Sequence, residues 1–182
     1  MVALLDLIGA AVIRGGIIMI LLQLTLSMQD VLYERTERAA MDQAMYEGTT
    51  LLSHEFRQMG YRATGTEITE LDTSVITFKI DVDNDGSVDQ IRYSLSQMSG
   101  IPDSLGVKKY YLNRSVNGAS ALPVLRYVTR FRIQCFDVNG QYTLTPYQVK
   151  SLNVILQTQS NNFFNGRYPS SAWQGHFFPQ NL

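Results

Sequence analysis

The side chains best placed to do chemistry crowd one short stretch: Asp81, Asp83, Asp85, Gly86 and Asp89. Carboxylates at alternate positions supply hard oxygen ligands, and a glycine permits the sharp turn that wraps them round one ion, as calcium loops require. An EF-hand closes with a bidentate acid at its twelfth place. Arg92 stands there, so this is not an EF-hand. Two readings stay open, a calcium site or a tight polar hairpin turn. A second charged pair, Asp6 and Arg14, stands out because everything around it is apolar. The remaining reactive residue types form no constellation. His54 and His176 lack Cys or Glu at metal-ligand spacing, and His54 is expected on a helix surface. Ser53, Ser170 and Ser171 sit in no nucleophile-elbow pattern, and neither a Gly-rich phosphate loop nor a convincing carboxylate pair occurs. No enzymatic activity is expected.

The elements that carry these residues differ sharply in composition. Residues 4–26 are almost uninterrupted hydrophobic sequence, about 23 residues or roughly 35 Å as a helix, enough to cross a bilayer core of about 30 Å. No basic n-region precedes the segment and no small-residue cleavage motif follows it, which argues against a removable secretion signal. The missing basic flank implies a leader cut away or omitted. As a plain membrane anchor the segment is poor. Asp6 and Arg14 lie inside it, an arginine at mid-membrane depth costs about 2.5 to 3.5 kcal/mol, and Gly15-Gly16 is expected to interrupt the helix. Protein surroundings suit it better than lipid.

From Met28 to Met59 the pattern turns amphipathic, with Leu32, Ala39, Ala40, Ala44, Leu51, Leu52, Phe56 and Met59 at roughly helical spacing. No proline occurs between Met1 and Tyr61. The simplest reading is one nearly continuous helix of about 58 residues, on the order of 85 Å long, of the kind used in coiled coils, membranes and filaments. The alternative is two helices broken near Gly48. Beyond Gly60 the period changes to two: Ile76, Phe78 and Ile80, then Ile91, Tyr93 and Leu95, predict a hairpin turning at Asn84-Asp85-Gly86. Phe131, Ile133 and Cys135, and Leu152, Val154 and Leu156, predict two further strands, with 109–116 a weaker one. An antiparallel sheet with one apolar face needs a cover, and the C-terminal half of the long helix is the obvious one. The expected class is α+β, organised as an apolar helix over residues 1–28, an amphipathic stalk over 29–60 and a β-rich head over 61–182. The head's tail holds Phe163, Phe164, Tyr168, Trp173, Phe177 and Phe178, with Pro169 and Pro179 expected to block regular structure. These aromatics either clasp a neighbouring subunit or fold back over their own sheet.

Composition narrows the partners. Fifteen Lys and Arg against 16 Asp and Glu give a formal charge of -1, with no basic excess for nucleic-acid phosphates. Cys135 is the only cysteine, which excludes an internal disulfide and a Cys-rich zinc site. Stability must come from packing.

The opening residues Met-Val-Ala-Leu-Leu-Asp-Leu-Ile-Gly-Ala resemble the type IV pilin signature, with Asp6 at the place of that family's buried glutamate. The remainder resembles the PilW-like minor pilins and the J-type minor pseudopilin of type II secretion. The likeness rests on Leu51 to Tyr61 (Leu-Leu-Ser-His-Glu-Phe-Arg-Gln-Met-Gly-Tyr), the Asp-rich hairpin Asp81 to Gly86, Tyr111 to Gly118 (Tyr-Leu-Asn-Arg-Ser-Val-Asn-Gly) and Phe136 to Gly140 (Phe-Asp-Val-Asn-Gly). The departures are aspartate for glutamate, Met1 where the leader's last glycine falls, and Arg14. The resemblance implies a pilin-like fold and a filament subunit, either the main component or a minor one. It implies prepilin processing, insertion in the cytoplasmic membrane, and then a place in a cell-surface filament or periplasmic pseudopilus. The implied partners are copies of the same chain, other pilins and the inner-membrane assembly machinery. A carboxylate in an apolar bundle must be paired, and the family's partner is the N-terminal ammonium of the adjoining subunit. Here Arg14 offers a second partner. It lies eight residues from Asp6, too far for a pair on one helix but about 12 Å along the axis, so a neighbouring helix shifted by that rise brings the two together. Asp6, Arg14, Gly15 and Gly16 are therefore the assembly candidates. A membrane-anchored binding module that never polymerises is the competing function.

Overall fold

A computed structural model describes residues 2–99, 106–164 and 166–182, with side chains from Asp6 onward. Met1 and the side chains of Leu4 and Leu5 lie outside this set. One helix, α1, runs without a break from Val2 to Arg57, 56 residues. The expected interruption at Gly15-Gly16 does not occur. Two glycines cost roughly 1 kcal/mol each against alanine, too little to end a helix with long proline-free flanks. Nor is there a break at Gly48, which lies buried in the helix. A Cβ there would make ordinary contacts with the Val124 and Leu125 side chains, at 3.6 and 3.8 Å.

Seven strands follow: β1 (Ile68–Leu71), β2 (Val75–Ile80), β3 (Asp89–Gln97), β4 (Tyr110–Val116), β5 (Leu122–Phe136), β6 (Ser151–Gln159) and β7 (Ser170–Phe177). Every strand pairs antiparallel with its neighbour in sequence, giving one sheet ordered β1 to β7. The predicted hairpin is β2–β3, in the register Phe78↔Ile91. β5 is longer than its alternation suggests, because its first half pairs with β4 and its second with β6. Register shifts on both sides and a left-handed Tyr127 (φ 57°) bend it between the two partners. The sheet curls far enough for the carbonyl of Thr73, in the β1–β2 turn, to accept from the Ile133 amide at 2.7 Å. The fold is thus α+β, a long N-terminal helix packed on an antiparallel sheet.

The chain forms two compact units, residues 1–39 and 40–182. The division falls inside the stretch assigned to the stalk, since the last turns of α1 belong to the core of the second unit. Their buried face is Met45, Gly48, Thr49, Leu52, Glu55 and Phe56, continued by Met59. This corrects the sequence register: Leu32, Ala39, Ala40 and Ala44 are exposed and Leu51 is half-buried. Phe56 anchors the contact, with edge-on rings from Phe78, Tyr93 and Phe177 at 5.5 to 5.6 Å. Ile76, Ile91, Leu112, Ile133, Leu152, Val154 and Leu156 complete the core from the sheet.

The chain leaves the helix through Gly60, whose φ of +80° only glycine adopts without strain and whose amide donates to the Lys79 carbonyl at 2.9 Å. A Cβ at Gly60 would lie 2.7 Å from the Asn181 carbonyl oxygen and 3.0 Å from the Glu67 side chain, whereas Gly65, also left-handed, has open space. Gly60→Ala is expected to lower unfolding free energy by about 2–3 kcal/mol and Gly65→Ala by only about 1 kcal/mol. Urea unfolding of the detergent-solubilised chain measures both, and equal costs would contradict the clash.

Candidate functional site

The first unit is apolar over residues 7–28, and that stretch is uncovered. From Leu7 to Leu32 its large side chains are exposed, reaching 75% at Met19, and α1 is long and apolar enough to cross a membrane. Asp6 and Arg14 are exposed within this unit and have no hydrogen-bond or ion-pair partner among the described residues. Gly15 and Gly16 are likewise open, with nothing within 4 Å of an added Cβ. The four assembly candidates therefore share an exposed stretch of helix, and no pairing among the described residues holds Asp6 or Arg14.

Within the aromatic tail, the expectation for the two prolines is corrected. Pro169 and Pro179 bracket β7 instead of preventing it, and proline at the ends of an edge strand removes no ladder hydrogen bond. Phe177 is buried against Phe56, and Trp173, half-buried, lies over Gly175, where any Cβ would collide with its ring. Phe164 is half-buried, while the rings of Phe163 and Tyr168 meet at a tilt, 4.9 Å apart, and those of Phe178 and His176 likewise at 4.5 Å. Most of the tail thus covers its own sheet, and only Phe163 and Phe178 remain largely exposed, at 58% and 69%.

The Asp-rich loop joins β2 to β3. Left-handed Asn84 (φ 61°) and Gly86 (φ 92°) turn it. Asp81 is buried; its Oδ2 accepts from Arg62 Nη1 at 2.9 Å and from the Gly86 amide at 3.1 Å. Asp83 and Asp85 are exposed, and each accepts one amide of the turn, Asp85 N at 3.3 Å and Ser87 N at 2.7 Å. One carboxylate oxygen from each of the three lies within 4.8 Å of the others. Asp89 does not join them. Its Oδ1 accepts from Asn117 Nδ2 at 2.6 Å, which fixes the β3 entry to the β4–β5 turn. Arg92, at the place of the missing twelfth ligand, pairs with Glu70.

Sequence reasoning missed a buried ionic cluster. Glu55, on α1, is 1% exposed and accepts from Tyr93 Oη on β3 at 2.5 Å and from Arg114 Nε and Nη2 on β4 at 2.9 and 2.5 Å. Helix and sheet are thereby joined through a bidentate charge-assisted pair. Burial, reinforced by the Glu55 carboxylate, pushes the Tyr93 phenol far above its ordinary range, so it stays a donor. Burial opposes the Arg114 charge, but the hydrogen bond to Glu55, the Glu55 charge and Tyr93 together more than offset this and hold the guanidinium above its usual value. The available signal was a glutamate next to Phe56 on the apolar helix face, with an arginine at an inward-facing strand position.

Nucleophile chemistry finds little support in the geometry. Ser53, His54 and Asp42 line one groove of about 580 Å³ with Trp173, but adjacent helix positions diverge and no hydrogen bond joins the three. His176 is exposed on β7, and Ser170 and Ser171 open that strand. The Cys135 thiol is fully buried and pushed up to about 12 by burial, which leaves it inert. No family model matches the chain, and a search of curated proteins gives no match.

Glu55→Gln keeps the shape and an acceptor but leaves the Arg114 charge uncompensated. It is expected to cost about 3 kcal/mol in urea unfolding, and Arg114→Met in the same chain to recover part of that loss. Strictly additive losses would contradict the pairing.

Proposed function

We propose that this chain is a structural subunit of a type IV pilus-like or pseudopilus filament, polymerising through the apolar part of α1. The observation that carries the reading is a helix segment that is apolar on every face and uncovered, yet includes Asp6 and Arg14. Lipid covers apolar surface equally well but charges about 2.5–3.5 kcal/mol for an ionised residue at mid-depth. A bundle of like helices covers the same surface and supplies the opposite charge. The subunit waits in the cytoplasmic membrane, is handled there by the assembly machinery, and ends in a cell-surface filament or periplasmic pseudopilus. Its partners are copies of itself and other pilins, and no catalytic role is assigned. In the bundle, a shift of about 12 Å between neighbouring helices sets Asp6 of one chain beside Arg14 of the next. A membrane-anchored minor component or binding module outside the main filament is the second reading, favoured by the same length and apolarity of α1.

Single reversals Asp6→Arg and Arg14→Asp are expected to remove the chain from sheared surface fibres at unchanged cellular levels, and the double reversal to restore it. A double variant as defective as the singles contradicts the pairing. Singles that assemble normally contradict the assembly role of both residues.

A further inference from the structure

The unused feature of the second unit is one atom. Asp81 Oδ1 is fully buried and has no hydrogen-bond donor, although the other oxygen of the same carboxylate has two. Buried carboxylate oxygens are seldom left bare, because the lost hydration is not returned. Here the bare oxygen belongs to the one carboxylate that is both buried and clustered with Asp83 and Asp85. We propose that the β2–β3 loop is a calcium site, with Asp81, Asp83 and Asp85 as its protein ligands.

Three observations fit a calcium ion. Oxygens that touch one calcium at about 2.4 Å lie no more than about 4.8 Å apart, and the three candidate atoms meet that limit. Arg62 neutralises one of the three carboxylates through Oδ2, which leaves a net charge matching a divalent cation, while Oδ1 has no donor of its own. Asp83 and Asp85 each engage a turn amide through Oδ1 alone, so both retain an oxygen facing solvent. A loop with so few rigid ligands favours calcium over magnesium, which demands near-octahedral geometry and gives up water reluctantly.

The site also has a structural consequence. The Asp81 amide donates to the Tyr61 carbonyl at 3.2 Å, Tyr61 Oη donates to Asn84 Oδ1 at 3.4 Å, and Arg62 pairs with Asp81. An ion in the loop therefore braces the segment through which the chain leaves α1. Calcium then acts on the stability of the second unit, whether or not the chain polymerises.

The test uses the full chain in detergent, titrated with terbium as a luminescent stand-in excited through Tyr61, and melted with and without calcium. The wild type is expected to give terbium luminescence that calcium displaces, and a melting temperature about 5 °C higher at several millimolar calcium, reversed by chelator. Asp83→Asn with Asp85→Asn retains the exposed turn and the metal-free melting temperature, and its terbium signal and calcium shift are expected to fall at least about tenfold. No calcium shift in the wild type overturns the proposal. So does an undiminished shift in the double variant, which puts binding elsewhere, or an equal response to magnesium.

Discussion

A single helix serving two surroundings is the constraint on which the rest of the structure depends. The backbone of α1 is continuous from Val2 to Arg57, but the side chains of its two parts satisfy different demands. From Met45 onward, apolar residues at helical spacing meet a sheet. Over residues 7–28, apolar residues occupy every face and stay exposed. Taking one Val, Leu or Ile side chain out of water is worth about 1.5–3 kcal/mol, so covering this segment is worth on the order of tens of kcal/mol. Whatever covers it, lipid or other helices, governs where the protein can exist.

The second unit is built to hold the end of that helix firmly. Phe56 supplies the apolar anchor, and Glu55 supplies direction, since a bidentate carboxylate–guanidinium pair tolerates little rotation or slippage. Such a pair gains little net stability over apolar packing but is costly to break, which suits an element that fixes register between helix and sheet. Gly60 then allows the chain to turn tightly, and Asp81 and Arg62 tie that turn to the β2–β3 loop. The connection between the helix and the sheet is thereby held by backbone and side-chain bonds within a few residues.

Much of this was legible in the sequence, for identifiable reasons. The proline-free run to Tyr61 gave the helix, and strict alternation at Ile76–Ile80 and Ile91–Leu95 gave the hairpin, because both signals are local. β7 was missed because Pro169 and Pro179 read as breakers, although they fall just outside a strand whose pairing with β6 is tertiary information. The helix face was set in the wrong place because Ala39, Ala40 and Ala44 look apolar but lie where no sheet residue covers them. The loop was recognised from Asp spacing, yet Asp89 was assigned to it wrongly. Its engagement by Asn117 arises between residues far apart in the chain. Glu55 and Arg114 were invisible as a pair for the same reason.

The central claim, that the apolar segment is covered by other helices, is tested most directly by placing a photo-activatable benzophenone side chain at Ile17 and irradiating the native filament or membrane fraction. The account predicts adducts with another pilin-like helix, forming a ladder that the charge reversals at Asp6 or Arg14 remove. Lipid adducts alone, with no protein partner at Ile17 in any fraction, would contradict it.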